Sequence, residues 1–220
     1  MDSALPDTAA PQNILVLVSG AGTNLQSLID AEAAGTLSGG KIAAVLSDRN
    51  GAYALERAKA AGIPAFVQTP NPALAKPERR RELSDRILRL CREKRIGLVV
   101  YAGFLSILAG DIITEYAGRM INLHPALLPK FGGEGMYGSR VHQAVLAAGE
   151  TESGCTVHLV DAGTDTGPVI LQRKVPVLRD DTPETLAERI HKEEHTAIVD
   201  AVKLMLEELN MGRYAMTGGN

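Results

Sequence analysis

Two kinds of apolar patterning alternate along this chain. Short, almost unbroken apolar runs (Ile14 to Val18, then KIAAVLSD, AFVQ, IGLVVYAGF and RMINLHP) have the length and density of buried strands. Between them lie longer segments whose apolar residues recur at helical spacing. Leu25, Leu28 and Ile29 follow the first run, YALERAKAAG is stopped by Gly62, and Glu78 to Lys94 carries a stripe of Leu83, Ile87, Leu90 and Cys91. Asp111 to Ala117 predicts a short helix and Val141 to Ala148 another, with a glycine-rich segment, Gly132 to Gly138, predicted as a mobile loop before it. After Gly154 the pattern changes. CTVHLVDA and VILQRKVPVL are β-rich and flank GTDTGP, whose Asp, Gly and Pro suit tight turns, so they are expected to pair as an antiparallel hairpin. Thr182-Pro183-Glu184 supplies an N-cap, a proline at the first helical position and an acid in the first turn, launching a helix to about Leu209. Strand and helix in alternation predict an α/β fold: a doubly wound, Rossmann-like, mostly parallel sheet with an antiparallel C-terminal part. Its ligand crevice is expected beyond the carboxyl ends of the strands.

Composition narrows the partners. The 220 residues, 45% hydrophobic, can bury a sizeable core, and no composition shift marks a second domain. The expected organisation is a flexible N-terminal extension over 1–12, a single domain over 13–209 and a C-terminal tail over 210–220. With 23 Lys and Arg against 26 Asp and Glu, the formal charge of −3 gives no overall basic field for nucleic acid or an anionic membrane. A small phosphate ester needs only a few local donors and stays open. No apolar run approaches the roughly 18 residues of a membrane span. Cys91 and Cys155 show neither metal-ligand spacing nor a disulfide framework, and MDSALPDTAAPQ lacks the features of a signal peptide, so the cytoplasm is the expected compartment and no metal is predicted.

Three short segments could carry chemistry. Ser19-Gly20-Ala21-Gly22-Thr23-Asn24 joins a strand to a helix and offers backbone N–H groups to an anion, although a lone Gly-x-Gly serves equally well as a close-packed connection. A third glycine three positions after Gly22 would complete a dinucleotide fingerprint; Leu25 stands there, which disfavours a nicotinamide cofactor. Asn122 and His124, two apart on a strand, share one face and could stabilise an oxyanion and shuttle a proton, or simply bond to a neighbouring loop. Asp165 lies in a turn, where aspartate usually caps backbone N–H groups. Beside His124 its charge is expected to favour imidazolium and raise the histidine pKa.

Taken together, VSGAGTNLQSLI, YAGFLSIL, INLHPALLPKF, GCTVHLVDAGTDTGPVILQ and ERIHKEEH, in this order, resemble the glycinamide ribonucleotide formyltransferase family from about Asn13 to about Leu209. The resemblance implies transfer of a formyl group from 10-formyltetrahydrofolate, a co-substrate, to the amine of phosphoribosylglycinamide in purine biosynthesis. It implies Asn122, His124 and Asp165 as the catalytic trio, with Asn122 and protonated His124 on the oxyanion and Asp165 charging the histidine. It implies substrate contacts from Gly22, Thr23, Asn24, Leu25, Gln26, His191 and Glu194. Folate contacts are implied from Lys76, Leu105, Ser106, Ile107, Leu108, Asn122, Asp161, Ala162, Gly163, Thr164 and Asp165. The chain departs from the family's frequent pattern in three places: Leu105-Ser106 replaces Met-Arg, Lys76 replaces an arginine and His191 replaces a glutamine. The first two fall at basic groups that the family places near the folate. Lys130 reads as a solvated loop residue, and His142, His158 and His195 as helix or core residues outside the catalytic set.

Two relatives using the same folate chemistry, methionyl-tRNA formyltransferase and formyltetrahydrofolate deformylase, are expected to carry an additional domain for which this chain has no room. A noncatalytic folate or nucleotide sensor is the alternative of a different class, opposed by the intact trio. The expected partners are the two small molecules alone, with no nucleic acid and no membrane; a homodimer is compatible with the sequence.

Overall fold

The central strands are apolar on both sides because both of their faces are covered. In the computed structural model, which describes residues 12–212, β1 (Asn13–Val18) sends Ile14, Val16 and Val18 into one core layer and Leu15 and Leu17 into the other. That is the period of two that a pleated strand imposes. β4 (Ile96–Tyr101) divides in the same way, Leu98 and Val100 against Val99 and Tyr101. The first layer is closed by α1 (Thr23–Ala33), through Leu25, Leu28 and Ile29, and by α6 (Pro183–Asn210), through Ala197, Ile198, Ala201, Val202, Met205 and Leu206. The second is closed by α3 (Lys76–Glu93), through Leu83, Ile87, Leu90 and Cys91, and by α4 (Asp111–Glu115), through Ile112.

The remaining elements are β2 (Lys41–Ser47), α2 (Tyr53–Ala60), β3 (Ala65–Val67), β5 (Met120–His124), α5 (Ser139–Ala147), β6 (Glu152–Leu159) and β7 (Val169–Pro176). The seven strands form one sheet in the order β3-β2-β1-β4-β5-β6-β7. β1 to β5 are parallel, while β6 runs antiparallel to β5 and β7 antiparallel to β6. The expected doubly wound sheet with an antiparallel C-terminal part is therefore present. Strand order reverses between β1 and β4, and a crevice opens there beyond the strand ends.

Several boundaries differ from expectation. α3 begins at Lys76 rather than Glu78, since Pro77 presets a helical φ and is tolerated in the first turn. β3 is only three residues long, and β4 stops at Tyr101 because Gly103, at φ 79°, turns the chain out of the sheet. α6 starts as expected at Thr182, whose side chain accepts from the Thr185 N–H while Thr185 Oγ1 accepts from the Thr182 N–H, a capping box built with threonine. Of the expected extension and tail, all but residues 12 and 210–212 lie outside the described residues. Among the described residues no helix is long and apolar enough to cross a membrane.

Candidate active site

A cavity of about 740 Å³ opens beyond the carboxyl ends of β1, β4 and β5. At one end stands the turn leaving β1. Gly22 is the N-cap of α1 at φ 73°, and no side chain caps the helix, so the first N–H groups of α1 are left for another acceptor. Glycine is required at this point: a Cβ on Gly22 would lie 2.5 Å from that of Ala54 on α2. Beside the turn, Glu194 of α6 is buried, and its Oε2 accepts from Asn24 Nδ2 at 3.2 Å and meets His191 Nδ1 at 2.7 Å. Burial pushes the Glu194 carboxyl up, but the His191 bond and charge, with Asn24, hold it below its ordinary value; the same bond raises His191.

At the middle of the cavity, β5 delivers Asn122 and His124 on one side of the sheet, and the loop between β6 and β7 brings Asp165 against both. Asp165 Oδ1 is 3.3 Å from Asn122 Nδ2, and Asp165 Oδ2 is 3.5 Å from His124 Nδ1 and accepts from the Gly133 N–H at 2.9 Å. Asp165 sits at φ 58°, a left-handed conformation that aspartate and asparagine tolerate better than most residues. His124 Nε2 lies 2.8 Å from the Phe131 carbonyl. A carbonyl can only accept, so this contact places the neutral ring's proton on Nε2 and leaves Nδ1 facing Asp165.

Asp165 raises the His124 pKa, as its charge was expected to, but burial lowers it by more, so the net shift is downward and favours the neutral ring. Asp165 itself stays below the ordinary carboxylate range: burial pushes it up, but the His158 ring, the His124 charge and the Gly133 N–H outweigh that.

His158, set aside in the sequence as a helix or core residue, belongs to this cluster. On β6 it is the register partner of Asn122, its Nε2 lies 3.1 Å from Asn122 Nδ2 and 3.5 Å from Asp165 Oδ1, and its Nδ1 is 2.8 Å from the Leu159 carbonyl. That carbonyl accepts from Nδ1; Nε2 then accepts from Asn122 in the neutral ring and faces Asp165 as a donor in the protonated one. Alternation of Thr156 and His158 with Val157 and Leu159 was the available signal, but it required knowing that β6 pairs with β5. His142 of α5 is also a cavity-lining residue that sequence reasoning missed; burial lowers its pKa.

Toward the mouth, the segment after β4 is pinned by the Leu105 N–H to Ser19 Oγ at 2.8 Å, and Ser106 Oγ donates to Asp48 Oδ2 at 2.7 Å. Leu83 and Phe104 contribute apolar wall, and Asp161 Oδ1 holds its loop through the Gly163 N–H at 3.0 Å and Thr166 Oγ1 at 2.7 Å. Lys76 and Arg80 both pair with Glu134 of the glycine-rich loop, which the sequence did not single out. Lys130 pairs with Glu150 at 2.8 Å and remains exposed.

Of the expected site residues, Asn24, Lys76, Leu105, Ser106, Ile107, Leu108, Asn122, His124, Asp161, Gly163, Thr164, Asp165, His191 and Glu194 line this one cavity. Gly22, Thr23, Leu25, Gln26 and Ala162 are not in its wall. Leu25 is fully buried in the core, so only its backbone can face a ligand, and the Gln26 amide is occupied by Arg57 and Asp30.

The chain is similar to known proteins of one family. Residues 12–202 match the model of the formyl transferase family. A trifunctional purine biosynthetic protein adenosine-3 of Drosophila pseudoobscura pseudoobscura is 44% identical over 198 residues, 88% of this chain but only 14% of that protein. A chloroplastic phosphoribosylglycinamide formyltransferase of Arabidopsis thaliana is 35% identical, covering 90% of this chain and 66% of the relative. The crystal structure of glycinamide ribonucleotide transformylase 1 from Symbiobacterium toebii superposes with a TM-score of 0.82 at 38% identity, over 93% of this chain and 92% of that one.

Proposed function

The chain belongs to the formyl transferase family, and on that premise we propose that it transfers the formyl group of 10-formyltetrahydrofolate to the amine of 5'-phosphoribosylglycinamide, a step of purine synthesis. The observation that carries the reading is the convergence of Asn122, His124 and Asp165 in a cavity that has an uncapped helix N-terminus at one end and an apolar wall at the other. An anionic group suits the first and a flat ring the second. Holding amine and formyl carbon together can contribute up to about 7–11 kcal/mol of barrier reduction.

The chemistry then follows from the protonation states. The amine nitrogen attacks the formyl carbon, a C–N bond forms and the carbonyl π pair moves onto oxygen. Asn122 Nδ2 stabilises that oxyanion by giving it one of the two hydrogens that otherwise face Asp165 and His158. Neutral His124 accepts the proton released by the attacking nitrogen at Nδ1, and Asp165 Oδ2, 3.5 Å away, is the counter-ion of the imidazolium so formed. Collapse breaks the bond from carbon to N10, and the proton returns from His124 to the departing nitrogen. Lys76 and the 105–108 segment are the proposed folate contacts, and Asn24, His191 and Glu194 the contacts to the glycinamide substrate.

The test is formyl transfer by the purified protein with both substrates, following tetrahydrofolate release and formylated product. Product that His124→Ala reduces by at least about 10³-fold is the expected result. Release of tetrahydrofolate with formate as the only other product would make water the acceptor and replace this reading with a hydrolase. Binding of both substrates without turnover would leave a sensor.

A further inference from the structure

The turn between β1 and α1 is held from behind by α2. Ala54 and Arg57, three apart and so on one face of that helix, grip successive carbonyls of the turn: the Ala54 N–H donates to Gly20 O at 3.1 Å, and Arg57 Nε donates to Ala21 O at 2.8 Å. Arg57 Nη1 also donates to Gln26 Oε1 at 3.1 Å, tying the guanidinium to the first turn of α1, and its face lies 5.1 Å from the Tyr53 ring centre. Three contacts therefore fix one cation, on a side chain that is not in the cavity wall.

Peptide planarity gives these contacts a consequence on the other side of the turn. In a trans peptide the C=O and N–H point in opposite directions, so anchoring Gly20 O aims the Ala21 N–H and anchoring Ala21 O aims the Gly22 N–H. A carbonyl that accepts from a guanidinium is polarised, and its peptide N–H becomes a stronger donor. Gly22 cannot take over this task through a side chain, because its φ of 73° and its approach to Ala54 exclude one. We infer that Arg57 is a positioning residue for the phosphate of the acceptor substrate: it orients and polarises the turn that receives the anion, without touching it. The inference rests on the functional reading above.

The experiment compares the parent protein with Arg57→Met and Arg57→Lys in steady-state formyl transfer. Arg57→Met is expected to raise KM for phosphoribosylglycinamide about tenfold, the size of one charge-assisted hydrogen bond, with kcat and KM for 10-formyltetrahydrofolate within about twofold. Arg57→Lys, which restores a cation without the fork, recovers part of the loss. Ribosylglycinamide lacking the phosphate, used as acceptor, is expected to show the same KM in parent and Arg57→Met. An unchanged KM for the phosphorylated acceptor would overturn the inference, as would an equal rise for both acceptors, which marks general damage to the turn. If the parent transfers no formyl group to either acceptor, the functional reading fails separately. Titration of inorganic phosphate into parent and Arg57→Met then decides the role of Arg57: weaker binding by the variant supports it and equal binding refutes it.

Discussion

Two carboxylates in the same cavity make a useful contrast. Asp165, at the centre, has a side chain 10% exposed and meets His124, His158, Asn122 and the Gly133 N–H. Glu134, at the mouth, is 53% exposed and meets Lys76 and Arg80. Both are held below the ordinary carboxylate range by their partners. At Asp165 those partners must first overcome burial; at Glu134 water and salt share the charge. The same kind of contact therefore differs in weight: at the centre a lost partner leaves a charge stranded in low dielectric, while at the mouth solvent replaces it. The centre should be sensitive to single-atom changes and the mouth tolerant of them.

The largest effect is expected from Asp165→Asn. Asparagine also tolerates the left-handed backbone at this position, so the substitution keeps the backbone while removing the charge and one of the two accepting oxygens. Without that charge the imidazolium formed during transfer loses its counter-ion, and kcat should fall by about 10²- to 10³-fold. The pH profile gives the sign. His124 already titrates below its ordinary 6.5 because it is buried, so the acid limb of kcat/KM in the parent should lie below 6.5. Removing Asp165, which opposes that shift, should move the limb to still lower pH. A limb that stays in place or moves up would show that Asp165 does not act through His124.

Next in size is Glu194→Gln. The buried carboxylate raises His191 and restrains Asn24, and its loss should lower the His191 pKa, measurable by NMR titration, and raise KM for the acceptor about tenfold. Linkage predicts a matching stability signature. A histidine raised by folding contributes stability that is fully present below its unfolded value of about 6.5 and lost as pH rises through the folded value. The difference in melting temperature between parent and Glu194→Gln should therefore be larger at pH 6 and narrow as the pH is raised. A difference independent of pH would separate the role of Glu194 from the His191 charge.

The same contrast explains what the sequence made legible. The strands of β1 and β4 could be read because an apolar run needs no partner to announce itself, and α6 because Thr182-Pro183 is a local start signal. Asn122 and His124 were readable as a pair because two residues apart on a strand is also a local relation. His158 was not, because its place opposite Asn122 is set by an antiparallel register across 36 residues. The net shift of His124 was not legible for a similar reason: the upward pull of Asp165 was anticipated, but the burial that outweighs it depends on how distant parts of the chain pack around the ring. Lys76 was read from resemblance, whereas its partner Glu134 lies in a glycine-rich segment with no helical or strand period to place it.

The smallest effect is expected at the mouth, and it is the result that most sharpens the contrast. Glu134→Gln removes the negative charge shared by Lys76 and Arg80 while leaving the glycine-rich loop anchored at its base by the His124 contact to Phe131 and the Asp165 contact to Gly133. Exposed pairs are screened by salt and contribute little, so the melting temperature should change by no more than about a degree and kcat by less than about twofold. The two cations, freed of Glu134, become more available to the carboxylates of the folate tail, and KM for 10-formyltetrahydrofolate should fall by about two- to threefold at low salt, a gain that disappears as ionic strength rises. A large, salt-independent loss of kcat on Glu134→Gln would mean that the mouth is mechanically coupled to the centre through residues 131–133, and the division between a sensitive core and a tolerant rim would have to be abandoned.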